Sequence, residues 1–335
     1  MAETQKTRYP LFLSGITVPL IWGGHELNSR YGKGDREANI GESWELTVRP
    51  GRDSVIMNGA FAGRTLSQYI AEVGCDVVSA DYDGGRFPLL VKLIDAADRL
   101  SVQVHPDDAY AARVEHDSGK TEMWYVIDAR PGARLVYGLE PGMGARKLGA
   151  ALEGGDPSGV LHQVEVHAGD VFFIPAGMVH SIGAGILIAE IQQNSDLTYR
   201  VYDYGRLGLD GKPRELHIAQ ALDVVRPFTA GEIDALRFCA EKSPDYRPVP
   251  AACRDGELLA HCDFFRVYRR RVTSPRHLSA DASGFHCLLC VGGEALLDMS
   301  SDVHQINAGQ CVFIPAASGA FTLRGDATVL EIIPG

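Results

Sequence analysis

The chain has 335 residues, 45% of them hydrophobic and 22% charged, an ordinary globular composition with length for two moderate domains or one large one. A net charge of −11 argues against nucleic acid as a partner, and no stretch approaches the ~20 apolar residues of a membrane span. The seven cysteines are odd in number and scattered, and the start MAETQKTRYPLF lacks an apolar leader, so a reducing cytoplasm is the expected compartment.

In chain order, the first helical pattern covers Leu66–Val73. A strand follows at LLVKLIDA (89–96), and then LSVQVHPDD, where Gln103 and His105 stand two residues apart. On a strand such a pair projects from one face, leaving Val102 and Val104 on the other. Asp107, after Pro106, opens a helix over 107–115. EMWYVIDA (122–129) and RLVYGL (134–139) read as strands, 145–152 as a helix, VFFIPAG and ILIAEIQQ as strands, and 215–224 as a helix. Residues 228–256, mixed and rich in Pro, Ala and Glu, read as a link. Beyond it HCLLCVGG and TVLEIIP are again strands. Short apolar runs bounded by Gly, Pro and Asp belong to sandwiches or barrels. The expected fold is therefore mainly β, with a few short helices.

An internal repeat sets the architecture. AGDVFFIP (168–175) returns as AGQCVFIP (308–315), and ILIAEI (186–191) echoes weakly in TVLEII (328–333). The repeated unit, a strand with Ile-Pro, a loop and a second strand, resembles an element of the cupin barrel. Two cupin-like jelly-roll barrels are expected, a catalytic domain over 1–235 and a second over 236–335. His180 follows the first IPAG turn, whereas Ala320 takes its place in the second copy, so the second barrel is expected to be free of metal.

Gln103, His105, Glu122 and His180 together offer two imidazoles, a carboxylate and an amide oxygen. Two histidines and a glutamate are a catalytic zinc set, and the same donors suit non-haem iron. Singly, each has an ordinary reading: a core histidine, a hydrated amide, a salt-bridged carboxylate. The joint pattern on a cupin frame favours a metal. His25, His116, His162, His167 and His217 sit in polar or loop-like contexts and read as unremarkable. Cys287 and Cys290 form a CxxC, but a strand sends them to opposite faces, which makes them packing residues. No Gly-rich phosphate motif is present, so no nucleotide cofactor is expected.

The segments IWGGHELNSR, IGESWELT, PLLVKLIDAADRLSVQVHPDD, GKTEMWYVID, VFFIPAGMVHSIG and NSDLTYRVYDYGR, in this order, resemble the type I mannose-6-phosphate isomerases, in their short bacterial form. The resemblance is strong over about 18–225. It implies one zinc per chain held by Gln103, His105, Glu122 and His180, and a catalytic arginine at Arg200 in a D-x-x-x-R arrangement with Asp196. Where longer members read H-K-P-E, this chain has Gly119-Lys120-Thr121-Glu122, which leaves open any role of the missing histidine.

The implied reaction interconverts mannose 6-phosphate and fructose 6-phosphate by moving a proton between C1 and C2 through an enediol. Asp196, a metal-bound water and His105 are candidate bases, and Lys120 is a candidate for assisting ring opening. Lys92, Ser101, Lys120 and Arg200 are the groups available to the substrate and its phosphate. An iron cupin dioxygenase and a non-catalytic sugar-phosphate-binding cupin are the alternatives.

Overall fold

The computed structural model describes residues 7–238, 257–300 and 302–335, so part of the expected 228–256 link, with Cys239 and Cys253, lies outside the described residues. Three large sheets are stacked, and Val48–Arg49 with Arg52–Asp53 forms a separate two-stranded one. An outer five-stranded sheet runs Leu161–Glu165, Arg134–Leu139, His180–Ile182, Val102–Val104, Tyr199–Tyr202. A middle seven-stranded sheet runs Arg237–Phe238, Val171–Ile174, Glu122–Ala129, Ile186–Gln193, Leu89–Ala96, Ile40–Leu46, Ile16–Gly24. The third, nine-stranded, holds the C-terminal strands, among them the long His286–Met299 and Gly319–Pro334. The expected cupin units are present as facing sheets, and among the described residues no ladder closes into a continuous barrel. No helix among these residues is long and apolar enough to cross a membrane.

The middle sheet is buried on both faces, and its alternation decides what each face does. Val91, Leu93, Met123, Tyr125, Ala189 and Ile191 pack against Phe265, Cys287, Phe313 and Ile332 of the C-terminal sheet. The even-numbered Ile94, Trp124, Val126, Ile186 and Ile188 face the outer sheet, where they meet Leu135, Tyr137 and Ile182. Lys92, Glu122 and Glu190 share that even phase. The lumen of the first unit thus has one apolar end and one charged end, written in the same strands.

Helices cover Leu66–Val73, Asp108–Val114 and Ala145–Glu153. The Asp107 side chain accepts the Tyr110 backbone N–H at 2.9 Å, the cap that Pro106-Asp107 suggested. The expected helix over 215–224 starts only at Ile218. The Glu215 carbonyl, which would accept within such a helix, accepts instead from Arg200 Nη1 at 2.8 Å.

The repeat is structural. Val171–Ile174 lies beside Glu122–Tyr125, and Cys311–Ile314 lies beside His286–Leu289. His286 therefore stands where Glu122 stands, and its Nδ1 lies 2.6 Å from Glu331. His180 opposite Gln103 is replaced by Ala320 opposite Ser279. Cys287 and Cys290 do face opposite cores. Two strand pairings link the expected units. Leu11–Leu13 pairs with Cys311–Phe313 of the C-terminal sheet, and Arg237–Phe238 pairs with Phe172 and Val171.

Candidate active site

Strands of both sheets converge on one point of the lumen. Val102–Val104 sets Gln103 opposite His180 on one side and opposite Arg200 on the other, so three neighbouring strands carry these residues in a row. Pro175–Met178 forms the turn before His180, closed by the Met178 N–H donating to the Pro175 carbonyl at 3.1 Å. Gly177, third in that turn, has φ +87°, which a side chain would resist. Its N–H donates to the His105 carbonyl at 2.9 Å, joining the two histidine segments.

His105, Glu122 and His180 are all buried, and their ligand atoms lie within 4.8 Å of one another. Glu122 Oε1 is 3.3 Å from His180 Nε2, and Oε2 is 3.5 Å from His105 Nε2. His180 Nδ1 is 2.8 Å from the Met178 carbonyl, which can only accept, so the proton sits on Nδ1 and the Nε2 lone pair faces the carboxylate. The Gln103 amide reaches the same Nε2 at 3.3 Å, and a half-turn presents its oxygen instead. Glu122 is fully buried; its Oε2 pairs with the Lys120 ammonium, while its Oε1 has no hydrogen bond and faces the His180 Nε2 lone pair. Electron-rich atoms facing one another without protons between them are costly to bury. A divalent cation at their centre removes that cost, and the donor set fits one.

Burial, with Lys120 adding to it, depresses the His105 pKa from 6.5 to about 3. Burial also depresses that of His180. Both rings are thereby kept neutral, as metal ligation requires. Burial alone would raise the Glu122 pKa, but Lys120 and His105 outweigh it and hold the carboxyl well below its ordinary range. The metal-free protein carries a consequence. Between pH 6.5 and about 3 the unfolded chain binds a proton that folded His105 refuses. Stability is therefore full above that window and falls as pH drops through it. Melting temperatures of the chelated protein at about pH 7 and about pH 5 test this, because the fall should be shallower in His105→Gln. An equal fall in both would show that His105 does not titrate this way.

Lys120 Nζ lies 2.8 Å from Glu122, 3.4 Å from His105 Nε2 and 3.6 Å from Glu190. Burial opposes its charge, but Glu122 and Glu190 prevail and raise its pKa. Lys92 Nζ sits 3.4 Å from Glu42, 3.6 Å from Glu190 and 4.7 Å from the centre of the Trp44 ring. Glu190 accepts from Trp124 Nε1 at 3.0 Å, and its pKa is raised by burial and by Glu122. Glu42 accepts from Trp44 Nε1 at 2.6 Å. Sequence reading missed Glu42 and Glu190, although the even phase shared with Glu122 and Lys92 was there to find them. A Cβ at Gly119 would lie 2.4 Å from the Asp107 backbone, so a side chain there would require the backbone to shift.

Arg200 is half-buried, with Nε donating to Ser101 Oγ at 3.3 Å. Burial, together with the nearby Arg214, lowers its pKa. Asp196 lies apart from Arg200 in this structure. Its side chain is 52% exposed, its ion pair is with Arg52 at 4.0 Å, and no contact with Arg200 forms. Four residues in sequence do not bring the two side chains together here. His217, read as an unremarkable loop residue, instead flanks Arg200: its N–H donates to the Arg200 carbonyl at 2.8 Å.

Comparison with known proteins gives one answer from three directions. The family description "Phosphomannose isomerase type I, catalytic domain" matches residues 12–128, and "Mannose-6-phosphate isomerase, cupin domain" matches 255–334. The mannose-6-phosphate isomerase of Streptococcus mutans is 35% identical over 324 residues, 97% of each chain. The crystal structure of the Bacillus subtilis mannose 6-phosphate isomerase superposes with a TM-score of 0.84 at 32% identity, over 96% of this chain and 99% of that one. A zinc-bound holo structure of a mannose 6-phosphate isomerase shares the fold at a TM-score of 0.74 and 18% identity, over 97% of this chain and 99% of that one. The chain belongs to the type I mannose-6-phosphate isomerase family, enzymes of the aldose–ketose isomerase class.

Proposed function

We propose that this chain is a zinc enzyme interconverting mannose 6-phosphate and fructose 6-phosphate through an enediol, with His105, Glu122, His180 and Gln103 as the metal ligands. The observation that carries the reading is the buried Glu122 carboxylate, its Oε1 without a hydrogen bond and the group faced by two neutral imidazoles. Zinc is favoured over other divalent ions by the donor set and by the zinc-bound relative. Bound there, the ion supplies Lewis acidity toward the oxygens on C1 and C2.

The chain's own groups do the rest. Lys120, a fixed ammonium beside Glu122, donates toward the ring oxygen and favours the open sugar. The proton between C1 and C2 needs a buried acceptor with raised proton affinity. Glu190 has those properties, whereas the Asp196 side chain is 52% exposed. Lys92 fixes Glu42 and Glu190 in place. Arg200, one strand from Gln103, and Ser101, just ahead of Gln103 in sequence, hold the phosphate or the developing oxyanion at the charged end. Catalysis is assigned to the unit over 1–235, and the unit over 236–335 is assigned a supporting role without metal, since Ala320 and Ser279 replace the His180–Gln103 pair.

A coupled isomerase assay before chelation, after chelation and after zinc restoration tests the proposal. Activity should vanish with the metal and return with zinc. Full activity after verified metal removal would sink the reading. Bound iron with oxygen consumption would replace it with the dioxygenase alternative.

A further inference from the structure

The segment after Arg200 is organised by one carboxylate. The Asp203 side chain is 5% exposed. Its Oδ1 accepts from Arg206 Nη2 at 2.7 Å, and its Oδ2 accepts from Arg214 Nε at 2.7 Å. The Arg206 N–H also donates to the Asp203 carbonyl at 3.0 Å, closing a turn whose inner residues, Tyr204 and Gly205, have φ of 58° and 69°. Glycine adopts that conformation freely and tyrosine does not. Tyr204 is kept there under the Arg99 guanidinium, 3.6 Å from its ring centre. Between the two arginines the chain closes on itself, with Leu207 bridged to Pro213 and the Gly208 N–H donating to the Lys212 carbonyl at 2.7 Å. Asp203 thus ties both ends of the loop to one point.

Directly beyond the second tie, the chain meets Arg200. The Glu215 carbonyl accepts from Arg200 Nη1 at 2.8 Å. His217 donates its N–H to the Arg200 carbonyl at 2.8 Å, and its Nδ1 accepts the Arg200 N–H at 3.4 Å. We propose that Asp203 is a positioning residue for the isomerisation: by clamping Arg206 and Arg214 it sets His217, which holds the Arg200 backbone, and Glu215, which holds the Arg200 guanidinium in its working orientation. This role rests on Arg200 acting on the substrate, as proposed above.

The test compares Asp203→Asn, Arg200→Ala and the double variant by steady-state kinetics, with zinc content measured alongside. Asp203→Asn should keep its zinc yet lose about tenfold or more in kcat/KM, and in the Arg200→Ala background it should cost less than about twofold further. A residue that only stabilises the fold would give losses that multiply. Multiplying losses, or an Asp203→Asn enzyme within about twofold of normal while Arg200→Ala is crippled, would overturn the clamp alone. A fully active Arg200→Ala enzyme would instead remove the underlying reading of Arg200, and the clamp with it. Should Asp203→Asn fail to fold, Arg214→Ala cuts one tie from a side chain 20% exposed, and the same comparisons apply.

Discussion

Replacing His180 by alanine is expected to take the protein from about one zinc per chain to nearly none, and turnover to below about a thousandth of normal. The ring supplies an Nε2 lone pair whose direction is fixed by the Nδ1–H bond to Met178, so no neighbour can substitute for it. A Lewis-acid centre contributes several kcal/mol to the transition state, and about 1.4 kcal/mol corresponds to tenfold in rate. The fold should survive, because removing the ring relieves the opposition between Nε2 and Glu122 in the metal-free state. His286→Gln is the matching control. It stands in the second unit where Glu122 stands in the first, and it should leave zinc and turnover untouched while weakening the Glu331 pair. Metal analysis and the isomerase assay decide, and a zinc-replete, active His180→Ala protein would refute the ligand assignment.

The second large effect concerns Arg200. Arg200→Lys should retain zinc and fold but lose about a hundredfold or more in turnover, the roughly 3–4 kcal/mol of an oxyanion contact made chiefly in the transition state. The guanidinium spends Nε on Ser101 and Nη1 on Glu215, which leaves Nη2 without a partner among the described residues. A lysine keeps the charge but cannot reach two anchors and a ligand at once. Asp196→Asn should do little by comparison, since an exposed pair at 4.0 Å from Arg52 is worth at most about 1 kcal/mol. Near-normal turnover in zinc-replete Arg200→Lys would take Arg200 out of the site.

What the sequence made legible followed from periodicity and motif. The i, i+2 spacing of Gln103 and His105 and the IPAG turn before His180 pointed to a common centre because strand geometry leaves little freedom. The capped helix at Asp108–Val114 was readable for a similar reason, since a side-chain cap is a local device. The distance between the Asp196 and Arg200 side chains was not legible, because proximity in sequence says nothing of side-chain direction once a strand begins at Tyr199. Glu190 was missed because one carboxylate in an apolar run looks accidental until its strand neighbours supply Lys92 and Trp124. The insertion of Leu11–Ser14 into the C-terminal sheet was illegible, as nothing in so short a segment names a partner about three hundred positions away.

That insertion gives the molecule a schedule. During synthesis Leu11–Ser14 leaves the ribosome long before Cys311–Ile314 exists, and translation at about 5–20 residues per second separates them by tens of seconds. Until then the earliest strand has only the two-residue Val55–Ile56 beside it. The apolar back of the middle sheet, Val91, Leu93, Met123 and Ile191 among it, also waits for the last hundred residues to cover it. Pairings between such distant segments close slowly, because the entropy of the loop is lost before the contacts form. The nascent chain is thus most vulnerable to association late in its synthesis, and completion of the C-terminal sheet is the event that ends this exposure.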